Sequence, residues 1–356
     1  MATIRVHAPT LSPALGAAVS TAVRRGALEA AGAGVRASML VTPRLAAFLI
    51  RETFRRSGLR TAASLMRHAP VGVEALRDLR YGPEPDMLLD VFRPADGDGP
   101  HPLLLWVHGG GFVGGSKDEL AGYFQMIASH GYTVAAPRYA LAPKYRYPVP
   151  VRQVMRALDF LQAERTSFHL DPDRIVLAGN SAGAHIAAQI GTLATTPGYA
   201  GLVGIPPTIA AEQVRGLVLA CGTFDLSLTL GVSGLAESIL VRAAGWSYSG
   251  RRNFNRDITF AAWSIPDFLT PAFPPTLLTV GNADPLRAHT ERLHEAMRAA
   301  GLEPETVFWP DHVPALDHEY QFNLDTEPAQ VFRSRLLEFL AAKTGADGAE
   351  EASPGR

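Results

Sequence analysis

One serine in the chain stands in the spacing that a nucleophile requires. Gly179-Asn180-Ser181-Ala182-Gly183 directly follows the apolar run Arg174-Ile175-Val176-Leu177-Ala178 and precedes a small-residue helical stretch, Ala182 to Leu193. Strand, tight turn and helix in that order lift Ser181 onto a strained elbow, and a side chain at Gly179 or Gly183 would collide with the neighbouring strand or helix. A second motif, His108-Gly109-Gly110-Gly111, follows the apolar stretch Pro102-Leu103-Leu104-Leu105-Trp106-Val107. Successive glycines bare backbone N–H groups, and amides fixed in advance stabilise the oxyanion that forms when a serine attacks an ester carbonyl. A serine hydroxyl is a poor nucleophile near neutral pH, so a histidine must stand within hydrogen-bond reach, with a carboxylate to orient it. The chain offers eleven histidines. For the acid, Asp284 follows the strand pattern Pro275 to Gly281, and Asp225 follows another, Gly216 to Gly222.

Taken together, these motifs resemble the hormone-sensitive-lipase-like esterases of the α/β-hydrolase fold, over roughly Val73 to Ala342. The resemblance rests on His108 to Ser116, on Tyr139-Ala140-Leu141-Ala142-Pro143 with Pro148 after it, on Gly179 to Gly183, and on Asp284-Pro285-Leu286-Arg287. It implies that the acid and then the histidine follow the serine, which leaves His185, His289, His294, His312 and His318. His185 lies one helical turn beyond Ser181, and His289 and His294 fall in a helix right after the acid. Of His312 and His318, the latter is favoured, because Glu319-Tyr320-Gln321-Phe322 leads into the last amphipathic helix as the family's histidine loop does. The implied catalytic set is Ser181, Asp284 and His318, with Asp225 as a turn or cap residue. The implied oxyanion donors are the amides of Gly110, Gly111 and Ala182, with His108 bracing the glycine loop and His108 and Phe112 as candidates for substrate contact. No metal or organic cofactor is implied.

Two positions depart from the family pattern. Relatives often carry an acid where this chain has Asn180, and a small residue where it has Glu319, whose carboxylate either lies near the imidazole or points to water. The implied activity is hydrolysis of small to medium acyl esters through an acyl-enzyme. A catalytically silent small-molecule binder and an amidase or peptidase using the same three residues are the alternatives.

The elements that must position these groups form an α/β pattern. Val73 to Arg80 and Leu88 to Arg93 read as opening antiparallel strands. Strands near 102–107, 132–136, 174–178, 216–221, 275–280 and 304–309 then alternate with helices near 118–130, 149–164, 182–194, 286–300 and 328–342. That alternation predicts an α/β-hydrolase architecture, a mostly parallel central sheet flanked by helices, with function at the carboxyl ends of the strands. Residues 1–72 read as an N-terminal helical region, helical mostly from Ala14 to His68, that joins an insertion at about 226–270 to form a helical cap over a catalytic domain at 73–342. Trp246, Tyr248, Phe254, Phe260, Trp263 and Phe268 either line an acyl pocket or form the cap's own core. Arg44 to Arg67 mixes apolar residues with arginines, a basic amphipathic pattern that either packs its apolar face on the body as part of the cap, the favoured reading, or touches a membrane surface. The tail at 343–356 reads as disordered.

Composition agrees with one capped catalytic unit. The chain has 356 residues, 47% of them hydrophobic, and 33 basic against 34 acidic residues give a net charge of −1. No global field then draws it to nucleic acid or anionic lipid, and the expected partner is a small-molecule ester. No segment offers the ~18 apolar residues of a membrane span, and Met1 to Leu15 lacks the pattern of a secretory signal. The single cysteine, Cys221, cannot form an intrachain disulfide and fits a cytoplasmic location. No cysteine and histidine spacing suits a structural metal.

Overall fold

A computed structural model describes residues 41–96, 99–230 and 235–346. Eight strands form one sheet: β1 (Val73–Arg80), β2 (Leu88–Pro94), β3 (His101–Val107), β4 (Thr133–Pro137), β5 (Leu170–Asn180), β6 (Val214–Ala220), β7 (Thr276–Val280) and β8 (Glu305–Phe308). Their order across the sheet is β1-β2-β4-β3-β5-β6-β7-β8. β1 and β2 pair antiparallel, as do β2 and β4, and every later pairing is parallel. This is the α/β-hydrolase fold, with the expected strands and helices present.

The helices are α1 (Arg44–Met66), α2 (Ala121–Ala128), α3 (Val149–Ala163), α4 (Ala182–Thr195), α5 (Tyr199–Val203), α6 (Leu235–Ser249), α7 (Arg287–Ala299) and α8 (Glu327–Thr344). Side chains alternate across a strand, so the continuous apolar run of β3 feeds two cores at once. Leu103, Leu105 and Val107 pack with Val154 and Leu158 of α3 and Ile190 of α4. Leu104 and Trp106 face the other way, toward Tyr123 and Phe124 of α2 and Phe332 and Phe339 of α8. Both faces of the sheet are covered, and substrate access is left to the strand ends.

Some boundaries differ from those expected. β5 begins at Leu170 rather than near 174, because Leu170 and Asp171 pair with His101 and Pro102 ahead of a register shift. Charged Asp171, Asp173 and Arg174 disguise that opening. The last helix runs on to Thr344, which is buried. α1 lies against α2 and α6. It buries Ala46, Ala47, Gly58 and Leu65 but leaves Phe48 and Leu59 about 60% exposed, so its apolar residues are only partly covered. The expectations for 1–40 and for 347–356 lie outside the described residues. Among the described residues no helix is long and apolar enough to cross a membrane.

Candidate active site

The elbow after β5 is built by what its glycines permit. Ser181 has φ +52°, a left-handed backbone that costs a non-glycine residue energy and persists only where neighbours enforce it. A Cβ on Gly179 would overlap the backbone of Gly183, and one on Gly183 would overlap the carbonyl of Val107 at the end of β3. Strand, elbow and helix therefore close-pack, and the Ser181 amide donates to the Ala220 carbonyl of β6 at 2.8 Å.

Three distant side chains meet there. Ser181 Oγ lies 3.1 Å from His318 Nε2, and His318 Nδ1 lies 2.8 Å from Asp284 Oδ2. The other Asp284 oxygen accepts the Leu286 amide at 2.8 Å, which fixes the carboxylate plane. The histidine loop is held to the acid loop by Asn282. Its Oδ1 accepts from the Leu316 amide at 2.7 Å, its Nδ2 donates to the His312 carbonyl at 2.9 Å, and the Ala283 amide donates to the Leu316 carbonyl at 2.9 Å.

Burial disfavours the charged ring of His318, while the Asp284 carboxylate hydrogen-bonded to it outweighs that penalty, so its pKa stands above the ordinary histidine value. Burial also pushes the Cys221 thiol up, which leaves Asp284 as the fixed negative charge. Cys221, Asp284 and His318 are the one group of metal-type donors, within 4.8 Å of one another, found among the described residues. Two of the three are already hydrogen-bonded to each other.

The glycine loop after β3 supplies free donors. Among the described residues, the amides of Gly110, Gly111 and Ala182 donate to no protein acceptor, whereas the Gly110 carbonyl accepts from Val113 and Gly114 and closes the turn. Gly110 sits at φ +113°, where a Cβ would strike the Gly114 backbone. His108 is buried, stacks on Tyr139 with ring centroids 4.3 Å apart, and has Nδ1 2.8 Å from the Gly109 carbonyl. Tyr139 in turn donates to the His108 carbonyl at 2.9 Å. Arg51 of α1 ties this loop to the Tyr139–Pro143 segment, donating to the Val113 carbonyl at 2.7 Å and the Ala142 carbonyl at 2.9 Å.

Ser181 and His318 open onto a cavity of about 260 Å³. Phe112, Tyr248, Phe254, Phe260 and Trp263 make its aromatic wall, with Phe54 of α1 and Leu240, Val241 and Ala244 of α6 over it. The six insertion aromatics therefore divide. Trp246 lies under the Arg252 guanidinium and Phe268 packs edge-on to Tyr199, both away from the cavity. His108 does not line this cavity either; it lines a smaller recess behind the glycine loop.

The remaining candidates are placed elsewhere. His185 is buried against Trp263, with Nε2 2.9 Å from its carbonyl, and burial lowers its pKa to about 3. His289 faces the amides of Phe224 and Asp225, and His312 braces its own loop through the Pro314 carbonyl. Asp225 accepts from Ser227 and neighbours Arg292, not an imidazole positioned for attack. The two departures from the family pattern meet each other: Asn180 Nδ2 donates to Glu319 Oε1 at 2.6 Å, and Asn180 Oδ1 accepts from Trp106. The acid absent at 180 is supplied from 319. Sequence reasoning did not single out Arg51 or Asn282. Asn282 had a visible signal, a polar residue immediately after the strand-ending Gly281, and Arg51 was indistinguishable from its neighbouring arginines.

A mostly parallel sheet with a serine on the elbow after its fifth strand, a histidine and an acid on later loops, and free amides beside them defines an α/β-hydrolase. The chain belongs to the alpha/beta hydrolase fold family, which matches residues 104–316. Esterase LipC of Mycobacterium tuberculosis is 36% identical over 126 residues, 35% of this chain and 31% of that protein. An esterase of Gibberella moniliformis is 25% identical over 251 residues, 68% of this chain and 76% of that one. The crystal structure of esterase B from Lactobacillus rhamnosis superposes with a TM-score of 0.73 at 19% identity, covering 85% of this chain and 96% of that chain. The match to LipC thus spans about a third of that relative's length.

Proposed function

We propose that the protein is a serine carboxylic-ester hydrolase. One observation carries this reading: Ser181 Oγ stands 3.1 Å from the His318 imidazole on the wall of an apolar cavity. In the reaction, His318 Nε2 takes the Ser181 proton as Oγ bonds to the ester carbonyl carbon. The carbonyl oxygen becomes an anion, held by the amides of Gly110, Gly111 and Ala182. Asp284 stabilises the imidazolium. The carbon–oxygen bond to the alcohol then breaks, and His318 returns its proton to the leaving oxygen. A water molecule attacks the acyl-serine, again losing its proton to His318, and collapse releases the carboxylic acid and restores the serine hydroxyl.

Phe112 and the aromatic wall suit small to medium acyl chains. Residues 44–66 and 226–270 act in this proposal as a cap, since Phe54 and Ala244 cover the cavity from those two segments. A nucleophile, base and acid all within hydrogen-bond reach favour turnover over mere ligand binding. The proposal places the enzyme in the cytoplasm, a reading supported by its single, buried cysteine. The test is a chain-length series of nitrophenyl esters paired with matched anilides. Ester turnover that falls with acyl length, outpaces the anilides and vanishes in Ser181→Ala supports the proposal. Equal rates on anilides, or full ester turnover by Ser181→Ala, would refute it.

A further inference from the structure

A second space also reaches Ser181 and His318. Behind the glycine loop lies a recess of about 70 Å³ bordered by Glu119, His108, Asn180 and Glu319. No lysine or arginine lines it. Its ionisable lining is two carboxyls and two imidazoles, those of Glu119, Glu319, His108 and His318. His108 is 2% exposed, and its Nε2 is buried with no hydrogen-bond partner. With Nδ1 directed at the Gly109 carbonyl, the ring proton belongs on Nδ1, and burial lowers the pKa to about 4, so Nε2 stays a bare lone pair. Glu319 Oε1 takes the Asn180 amide and lies 3.9 Å from His318 Nε2. The Glu119 carboxyl has no hydrogen-bond partner among the described residues. It packs across Gly58, where a Cβ would overlap it, which gives a physical reason for a glycine within α1. Burial and then the charge of Glu319 push the Glu119 pKa up to about 7.

The chemistry says which half of an ester comes here. His318 Nε2 must hand its proton to the leaving oxygen, so the alcohol departs beside that nitrogen, on the side where Glu319 stands. The acyl chain belongs in the apolar cavity on the other side of the serine.

We infer that the recess is the alcohol subsite and selects a small cationic alcohol, a primary ammonium two carbons from the ester oxygen. An ammonium brings three donors and no acceptor, and the recess is bordered by the carboxyl groups of Glu119 and Glu319 and by the ring of His108, whose Nε2 has no protein partner. This rests on the esterase reading above and deepens it.

The test compares initial rates on three butyrate esters at low ionic strength: 2-aminoethyl, 2-hydroxyethyl and the isosteric, neutral propyl ester. The kcat/KM of the aminoethyl ester should exceed that of the propyl ester by roughly ten- to a hundredfold, the range of a hydrogen bond to a charged group, with the hydroxyethyl ester between. Glu119→Gln and Glu319→Gln should each narrow the ratio, and added salt should narrow it further. A wild-type ratio of one or less overturns the inference without any variant, and so does a ratio undiminished in both variants. Hydrolysis of no ester by the folded protein would instead remove the esterase reading itself.

Discussion

Two buried polar clusters in this protein draw on similar side chains and lead to opposite outcomes. Near the start of the sheet, Lys117 is almost wholly buried with its ammonium 2.7 Å from Asp90, 2.9 Å from Asp78 and 3.1 Å from Asp118. Asp90 of β2 also accepts the Asp78 amide at 2.8 Å and pairs with Arg77 at 3.1 Å. Each of the three carboxylates lies within 3.1 Å of the Lys117 ammonium, and the cluster pins the antiparallel opening strands to the loop that follows β3. At the carboxyl ends of β5 and β7, Asp284 and His318 are answered as well, but the chain ends in a hydroxyl facing a cavity beside three unused amides. The difference lies in what is left over. Burying charge with its partners builds structure, and leaving amide donors unsatisfied beside a hydroxyl held by an imidazole leaves a place for an anion to form.

Several substitutions break or sharpen that contrast. Ser181→Ala removes the reacting atom and should lower kcat/KM by ~10³-fold or more on any ester. Its thermal midpoint should stay close to that of the parent. Asp284→Asn should cost on the order of 10³- to 10⁴-fold, since the ring loses its orienting charge.

The pH profile of Asp284→Asn is equally diagnostic. Only the neutral ring of His318 can accept the serine proton, so wild-type kcat/KM should fall as pH drops through the raised histidine pKa, above the unperturbed ~6.5. Removing the Asp284 charge should move that limb to lower pH. An unmoved limb would detach the carboxylate from the histidine.

In the other cluster, Lys117→Met should act on stability and not on chemistry. It takes the closest counter-ion from buried Asp90 and leaves Arg77 as its one cation among the described residues, and urea unfolding should report a loss of up to about 3–5 kcal/mol. Activity per folded molecule should remain within a few fold. Ala244→Phe intrudes on the cavity from α6 and should change selectivity by roughly tenfold or more, favouring acetate over octanoate esters, which paired assays would read. Asn180→Asp is the mildest. It sets a second carboxyl against Glu319 and forfeits the 2.6 Å bond, a loss of about 1–2 kcal/mol in thermal or urea stability with a small fall in turnover.

Much of the frame could be read from the chain because parallel strands buried on both faces appear as apolar runs, as Leu103 to Val107 do, and because glycine marks a backbone that tolerates no Cβ, as at Gly179 and Gly183. Other features depend on contacts across long sequence separations. Asn180 and Glu319 are 139 residues apart, and each looked like an isolated departure until the fold set one beside the other. Gly58 reads as a weak spot in a helix unless Glu119 is known to lie over it. The insertion aromatics carry no mark of direction. Tyr248 stacks on Phe112 at 3.9 Å, while Trp246, two residues earlier, faces Arg252 on the outside.

The proposed mechanism requires Ser181 to carry a hydroxyl activated for attack, the role its 3.1 Å approach to His318 Nε2 supports. Incubating the native protein with a fluorophosphonate ester and mapping the adduct by peptide mass spectrometry tests it directly. One equivalent of label on the peptide containing Ser181, absent after Ser181→Ala and slowed by Asp284→Asn, is the predicted result. Stoichiometric labelling of a different serine, or none on a folded protein that still hydrolyses esters, would contradict it.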